Sequence, residues 1–338
     1  MNTCYLGIDV ALDHLDVATA TTPALRKFIG RYANHLAGWQ ALAAAVEALV
    51  RQQPSEQAIQ LIVEPTGGYE EGLVAFAYRQ GWLVTLVSPL QVRRWAEGQG
   101  QRAKTDRQDA LLLAWYGASM QPSPQDELDE SAAQLDDLLR RRHDVEQLRQ
   151  AEHNRLAQVQ RKPHPHPAVQ ASLERTLRTL DDELQQLEAA IQQLLKTQAD
   201  LQAQRKLLRS SPAIGEKLSL EMLVVCHRFY AYTRGLGTVK QFAAFLGLDP
   251  QPHESGKAKG HTFISHQGNA RLRALLYCGA LGGVRGHNPL RTFYQRLVAD
   301  GKAKKLALVA CARKVATWVW ALFISNTAFD ASRFPMPS

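Results

Sequence analysis

The chain has 338 residues, of which 45% are hydrophobic, and it carries a formal net charge of +8. That length and apolar content exclude a disordered chain and allow two or three domains with a sizeable core. The four cysteines form no C-x-x-C pair, which argues against a disulfide framework and a zinc cluster and suits a reducing cytoplasm. The positive charge favours a polyanionic partner, with nucleic acid the first candidate and an anionic membrane surface the second.

Residues 1–125 predict an α/β domain. The stretches CYLGIDVAL, LDVATAT and KFIGRYA predict three strands, and a helix follows at 34–51. Two further strands, IQLIVEPT and WLVTLVSP, are separated by a helix at 69–80 and followed by helices from Leu90 and after Thr105. Antiparallel strands that lead into alternating β and α units favour a mixed sheet of the ribonuclease H-like, or RuvC-like, type. No charged region followed by an apolar one opens the chain, so we expect a cytoplasmic protein without a signal peptide.

Residues 126–209 predict a coiled-coil helical hairpin. Apolar residues recur there at alternating spacings of four and three, which is a heptad pattern. The prolines of RKPHPHP at 161–167 exclude one continuous helix. The hairpin is therefore expected to serve packing or dimerisation. The apolar positions are Leu135, Leu138, Val145 and Leu148 before the break, and Leu173, Leu177, Leu180, Leu184, Leu187, Ile191, Leu194, Leu201 and Leu208 after it.

Residues 210–330 predict a mostly helical C-terminal domain that includes a loop rich in glycine, lysine and histidine at 247–273. The apolar segment 306–325 is long enough to suggest a membrane span. Arg313 and Lys314 lie in its middle, however, where each would cost ~2.5–3.5 kcal/mol in lipid. We therefore expect a core helix with a basic stripe and no membrane association.

The stretch RAKTDRQDA contains two aspartates, Asp106 and Asp109, at the start of a predicted helix. One interpretation is that the exposed N–H groups and the dipole of the first helical turn stabilise these carboxylates. The other is a metal site, because residues i and i+3 share a helix face and can reach one hard cation. The choice depends on whether further carboxylates occupy places where they are otherwise costly.

Two such carboxylates are present. Asp9 lies in the first apolar strand, and Glu64 closes the apolar strand LIVEP. Each could be a strand-end residue that faces solvent. Together with Asp106 and Asp109 they would converge at the centre of a ribonuclease H-like sheet, where two Mg²⁺ ions could hold the attacking and leaving oxygens of a phosphodiester. Asp13 and Asp16 follow the first strand and are weaker candidates.

The loop at 247–273 holds a serine, Ser255, among histidines and lysines that include Lys257 and Lys259. Gly268 and Asn269 could start a helix whose N–H groups bind phosphate, with Arg271 and Arg273 beside it. The alternative is a flexible basic loop that contacts a nucleic-acid backbone, because no Asp-His-Ser pattern is present to activate the serine.

Taken together, GIDV with Asp9, VEPTG with Glu64 and KTDRQDA with Asp106 and Asp109 resemble the four-acid DEDD motif of the insertion sequence 110 family of bacterial transposases. The later PAIG, GLDP, ESG and ISHQGNARLR resemble that family's second conserved region, so the resemblance covers nearly the whole chain. Two positions depart from the family pattern: Ala213 replaces a glycine in the P-G-I-G turn, and Glu254 replaces the usual glutamine before Ser255.

The resemblance implies a bacterial DNA recombinase in which the acids Asp9, Glu64, Asp106 and Asp109 bind Mg²⁺ and Ser255 forms a covalent link to phosphate. Donor and target DNA and a structured guide RNA from the element are the implied partners, and a homo-oligomer, dimer or tetramer, is expected. The basic side chains of Arg102, Lys104 and Arg107 would contact phosphate groups of the nucleic acid. The alternatives are a junction-cutting nuclease that uses water alone, with Ser255 uninvolved, and a non-catalytic nucleic-acid-binding assembly protein.

Overall fold

A computed structural model describes residues 2–51, 57–100, 106–252, 262–265 and 267–333. The chain divides into two compact units, the first made of 1–127 with 231–234 and the second of 128–230 with 235–338. The second unit holds both the predicted hairpin and the predicted C-terminal domain. The finer division into three domains stays a prediction.

The first unit is built on a five-stranded mixed sheet with the strand order β3-β2-β1-β4-β5. The strands β1 (Asn2–Val10), β2 (His14–Ala20) and β3 (Arg26–Ala33) are antiparallel neighbours. The strands β4 (Gln57–Val63) and β5 (Leu83–Leu86) continue the sheet beyond β1 and run parallel to it. This arrangement confirms the predicted α/β class and mixed sheet, and it fits a ribonuclease H-like domain.

Each face of this sheet carries its own hydrophobic core, because side chains alternate between faces along a strand. Leu6 and Ile8 of β1 pack in one core, whereas Tyr5 packs in the other with Ala110 and Ala114. The helices of the unit are α1 (Leu36–Arg51), α2 (Glu71–Arg79), α3 (Pro89–Gly98) and α4 (Asp106–Met120).

The second unit begins with two helices of 31 residues each, α5 (Glu130–Gln160) and α6 (Pro167–Thr197). Arg142 pairs with Glu188, and Arg149 pairs with Asp181. Because the partner on α6 recedes by seven residues as the position on α5 advances by seven, the two helices run antiparallel. A break at Gln198 separates α6 from α7 (Ala199–Arg209).

The predicted leucine seam is buried unevenly along α6 and α7. Ile191, Leu195, Leu201 and Leu208 are buried in the core of the second unit. The seam positions closer to the start of α6, among them Leu184, are only half-buried. The coiled-coil character of the hairpin therefore stays a prediction.

The rest of the second unit is helical except for a short two-stranded sheet. Two strands lie inside the stretch that the sequence predicts as a loop, because the residues that flank 253–261 pair with each other. The elements are α8 (Glu216–Thr233), α9 (Val239–Phe245), β6 (Pro250–Pro252), β7 (Thr262–Ile264), α10 (Ala270–Gly283), α11 (Pro289–Ala299) and α12 (Lys304–Ser325).

The last helix, α12, contributes to the core of this unit. Trp320 is buried, stacks on Phe242 and donates its indole N–H to the carbonyl of Gly237 at 2.8 Å. Within the described part of the chain, α12 is also the one helix whose length and composition would allow it to cross a membrane, and 56% of its most apolar stretch is buried inside the protein. That burial agrees with the predicted core helix.

Candidate active site

Asp9 and Glu64 occupy equivalent places on two neighbouring strands. The last parallel pair of β1 and β4 joins Ile8 to Val63, and each acid follows its member of that pair by one residue. Ile62 packs in the core on the α4 side of the sheet. Alternation along each strand therefore assigns both carboxylates to the face that α4 covers.

The helix α4 lies against β1 at Gly7, two residues before Asp9. A Cβ atom at Gly7 would stand 2.1 Å from the backbone nitrogen of Ala114 and 2.2 Å from the carbonyl oxygen of Ala110. Only glycine permits so close a contact. Asp109 directly precedes Ala110 on α4, so this contact brings Asp109 to the end of β1 that carries Asp9.

Asp106 is the first residue of α4, as the predicted helix start requires. Its side chain, and that of Arg107, lie outside what the structure describes, as do Arg102 and Lys104. Among the described side chains, no group of three or more histidine, cysteine, aspartate or glutamate residues is arranged to hold a metal ion. Carboxylates are nevertheless the donors that Mg²⁺ prefers, so the acids on this face fit such an ion by their chemistry.

Asp16 lies beside Asp9 in the antiparallel ladder of β1 and β2. Its side chain is 2% exposed and accepts two hydrogen bonds from the Arg31 guanidinium, at 2.6 and 3.0 Å. Asp13 is exposed and bonds to the neighbouring His14, which lowers the pKa of its carboxyl. Arg31 therefore compensates the negative charge of Asp16 next to Asp9.

The turn that follows Glu64 is held by a buried carboxylate. Glu70 is 6% exposed and accepts hydrogen bonds from the backbone N–H groups of Thr66 and Gly68, both at 3.0 Å. The Thr66 hydroxyl donates to the carbonyl of Glu64 at 3.2 Å. These bonds fix the backbone on the carboxyl side of Glu64. Glu70 follows a glycine-rich turn and directly precedes a helix. That position is a sequence signal for an acid that binds the turn, but Glu70 was not predicted from the sequence.

The second candidate region lies in the second unit. Ser255, Lys257 and Lys259 are outside the described residues. The strands β6 and β7, which flank them, form the two sides of an antiparallel pair. Ser265 follows β7, and its hydroxyl donates to the carboxylate of Asp249, just before β6. Asp249 was not predicted from the sequence, because nothing in the GLDP turn indicates that its carboxylate would accept a hydrogen bond from Ser265 of ISHQG.

Two glycines let the chain cross itself at the base of this strand pair. A Cβ at Gly247 would stand 2.6 Å from the nitrogen of Gly268, and a Cβ at Gly268 would stand 2.5 Å from the carbonyl carbon of Leu246. The Arg273 guanidinium donates to the carbonyl oxygens of Gly268 and Leu246 at this crossing. Arg273 therefore stabilises the fold here.

Arg271 is also engaged within the fold. Its guanidinium pairs with Glu221 of α8, which is 6% exposed and which Arg142 of α5 approaches to 3.5 Å. Burial raises the pKa of Glu221, and the two guanidiniums oppose that shift. This network joins the start of α10 to α5 and α8. The structure thus gives Arg271 and Arg273 structural contacts, and their predicted contacts with nucleic acid stay predictions.

Ala213, where the chain departs from the P-G-I-G pattern, has a left-handed backbone with φ of +78°. Its carbonyl oxygen would stand 2.6 Å from a Cβ at Gly279 of α10. The turn thus keeps a conformation that glycine adopts without strain, although the residue is alanine.

Comparison with known proteins places both regions in one group. Residues 6–165 match the family model of DEDD transposases of IS110 type, and residues 205–295 match that of the IS116/IS110/IS902 transposase family. The chain is 28% identical over 335 residues to the pilin gene-inverting protein of Moraxella lacunata, and the matched region covers 98% of each chain. It is 28% identical over 163 residues to the transposase for insertion sequence element IS1111A of Coxiella burnetii, which covers 46% of this chain and 44% of the relative.

Proposed function

Because the chain belongs to the IS110 family of transposases, whose members recombine DNA, we propose that it cuts and rejoins DNA through an acidic Mg²⁺ site and a serine nucleophile. The observation that carries this proposal is the position of Asp9 and Glu64 at matching ends of β1 and β4, on the face that α4 covers. Asp109 on α4 and the neighbouring Asp106 complete the proposed set of four acids.

These four carboxylates would hold one or two Mg²⁺ ions. Bound Mg²⁺ supplies positive charge that stabilises a phosphodiester during its displacement. The carboxylates would hold the ion in place. Because Arg31 compensates the charge of Asp16, that carboxylate does not add to the repulsion among the four acids. The acids are thus ligands, and Asp16 is excluded from the proposed set.

Ser255 is the proposed nucleophile. Its hydroxyl oxygen would displace one deoxyribose oxygen from phosphorus, and its proton would pass to the leaving oxygen. A sugar hydroxyl of another strand then displaces the serine, which regains its proton, so the number of phosphodiester bonds is conserved. A relative that covers 98% of this chain is named for inverting a pilin gene, and inversion needs such rejoining.

Nucleic-acid contacts of the same site are proposed for Arg102, Lys104, Arg107, Lys257 and Lys259, which lie beside the acids or the serine in sequence. Phosphate contacts position a protein without reading bases. We therefore also propose that a structured RNA of the element supplies target choice by base pairing, as in other guided effectors. The half-buried part of the leucine seam supports a dimer or tetramer built through the hairpin.

The acidic site can be tested with the full-length protein, donor and target DNA, the element RNA and Mg²⁺. Asp9→Asn, Glu64→Gln, Asp106→Asn and Asp109→Asn should each abolish strand cleavage, as should excess chelator. Asp13→Asn is the matched control, because Asp13 is exposed and bonds to His14, and it should cleave normally. Cleavage at the normal rate in chelator, or in two of the four variants, would contradict the metal site.

The nucleophile can be tested by trapping the covalent protein–DNA adduct on a denaturing gel. Ser255→Ala should give none. If cleavage persists in this variant without an adduct, the protein is a nuclease that uses water. If the adduct persists, Ser265→Ala is the next variant to examine. Removing RNA by nuclease should abolish site-specific insertion, and equally specific insertion without RNA would contradict the guide.

A further inference from the structure

Positive charge is concentrated in the last three helices of the chain. The segment 270–326 contains ten arginines and lysines and one acid, Asp300, which gives it a net charge of +9. Since the whole chain carries +8, the remaining residues together carry −1. The basic character of the protein thus comes from this one segment.

Elsewhere in the second unit, many cations are paired with carboxylates. In helices α5 to α8, ion pairs engage Arg140, Arg142, Arg149, Arg155, Arg205, Arg209, Lys217 and Arg228. These pairs neutralise the helices that they join. Eight cations of α5 to α8 are therefore engaged within the fold. The other cations of these helices form no ion pair with a carboxylate that the structure describes, and they are Arg141, Arg175, Arg178, Lys196 and Lys206.

The cations from α11 to the start of α12 lie in a segment whose one acid is Asp300. Arg291, Arg296, Lys302, Lys304 and Lys305 are all exposed. None of these five forms an ion pair within 4 Å with any carboxylate that the structure describes. We define them, with Lys314, as the α11–α12 basic surface. Ion pairing among the described residues therefore leaves the charge of the five exposed cations uncompensated.

Two cations of this surface even converge on one aromatic ring. The guanidinium carbon of Arg296 lies 5.5 Å from the ring centroid of Phe293, and Nζ of Lys314 lies 5.6 Å from it. A cation above an aromatic face gains about 0.5–1 kcal/mol at an exposed site. Two like charges that share one ring also repel each other. A polyanion bound at this place would relieve that repulsion.

We propose that the α11–α12 basic surface binds the phosphate backbone of duplex DNA. The stretch from Lys304 to Lys314 rises about 15 Å along α12, which equals roughly four base-pair steps. The aromatic rings of these two helices are buried or half-buried in the part of the chain that the structure describes, so they offer no exposed platform for stacking unpaired bases. This favours a duplex over a single strand.

The residues of this surface belong neither to the proposed acidic site nor to the serine loop. It would add contacts that hold DNA without reading its sequence. The inference does not depend on the identity of the nucleophile or the metal, because it concerns binding alone. It can be tested by binding alone, with chelator present.

The experiment measures binding of the full-length protein to a labelled DNA duplex of arbitrary sequence at several salt concentrations. The test variant combines Lys302→Gln, Lys304→Gln and Lys305→Gln. The slope of log affinity against log salt should become smaller in magnitude by about three, since each lost phosphate contact removes about one. The control combines Lys196→Gln, Lys206→Gln and Lys240→Gln, which removes the same charge from exposed lysines of α6, α7 and α9.

The control should change the slope by less than one. An unchanged slope in the test variant, or an equal loss in the control, would overturn the proposal. A structured RNA serves as the second probe. If the test variant loses affinity for that RNA while its affinity for duplex DNA stays at the level of the unaltered protein, the surface serves RNA and the proposal is also overturned.

Discussion

Arg31 on β3 and Asp16 on β2 form a two-point ion pair whose carboxylate is almost fully buried. Asp16 is in register with Asp9, one of the four acids of the proposed metal site. A carboxylate in that place without a partner would raise the negative charge around Asp9. The pair thus gives Asp16 a role in stabilising the sheet, and Asp16 is not among the acids of the proposed metal site.

The first prediction follows from this pair. Arg31→Met keeps an unbranched apolar side chain and removes both donors, so Asp16 is left without them. The free energy of unfolding should fall by about 1–3 kcal/mol, measured by chemical denaturation. Adding Asp16→Asn should recover part of the loss, because it removes the uncompensated charge. Equal stability of Arg31→Met and the unaltered protein would show that the pair contributes nothing.

The second prediction concerns the contact between β1 and α4. Gly7→Ala places a methyl group about where backbone atoms of α4 already lie, so α4 must move. Unfolding should become easier by about 3 kcal/mol or more. Gly98→Ala is the control, because no atom lies within 4 Å of its added Cβ, and it should be tolerated. Thermal melting that is the same in both variants would contradict the close approach of α4.

The third prediction separates a structural role of Arg273 from contact with phosphate. Arg273→Ala removes the bonds to Gly268 and Leu246, and stability should fall by about 1–3 kcal/mol. The salt dependence of DNA binding should stay unchanged. A slope that falls by about one, with stability unaltered, would instead assign Arg273 to phosphate as first predicted.

The fourth prediction concerns Ala213. Its left-handed backbone costs an L-residue with a Cβ roughly 1–2 kcal/mol. Ala213→Gly should therefore raise the free energy of unfolding by about 1 kcal/mol, after the entropy cost of glycine. Ala274→Gly, at an exposed position inside α10, should lower it by about the same amount. Destabilisation by both substitutions would contradict the strain at Ala213.

The fifth prediction is a pH dependence that arises from His227. Burial lowers the pKa of this imidazole below 6.5, although Asp129 opposes the shift, and the ring bonds to Gln204 at 2.7 Å. The unfolded chain takes up the proton more readily, so His227 contributes stability above pH 6.5 that is lost as the pH falls towards its folded pKa.

His227→Gln should remove this contribution, so its stability difference from the unaltered protein should shrink as the pH falls from 7 to 5. Phe323→Leu is the control, because it disturbs the ring contact with His227 without removing a titrating group. Its stability difference should stay constant over that range. A constant difference for His227→Gln as well would contradict the prediction.

Local patterns were sufficient to predict much of the fold. Short stretches rich in β-branched and aromatic residues predicted all five strands of the first unit, and the apolar spacing predicted the long helices on both sides of RKPHPHP. Pro163 and Pro165 exclude one continuous helix on steric grounds alone, and Pro167 is tolerated as the first residue of α6, so the break needed no tertiary information. Asp9 and Glu64 were conspicuous because a carboxylate is costly at the end of an apolar strand.

Tertiary structure alone decided which charges are used by the fold. Arg271 and Arg273 follow a glycine and an asparagine at a helix start, and nothing local shows that Glu221 and the carbonyl of Leu246 lie within reach. Arg31 is fifteen residues from Asp16, and Glu188 is 46 residues from Arg142. A charge is neutralised by what lies near it in space, and sequence separation does not report that distance. For the same physical reason, the sequence alone did not show that Arg291, Arg296, Lys302, Lys304 and Lys305 form no ion pair with a carboxylate that the structure describes.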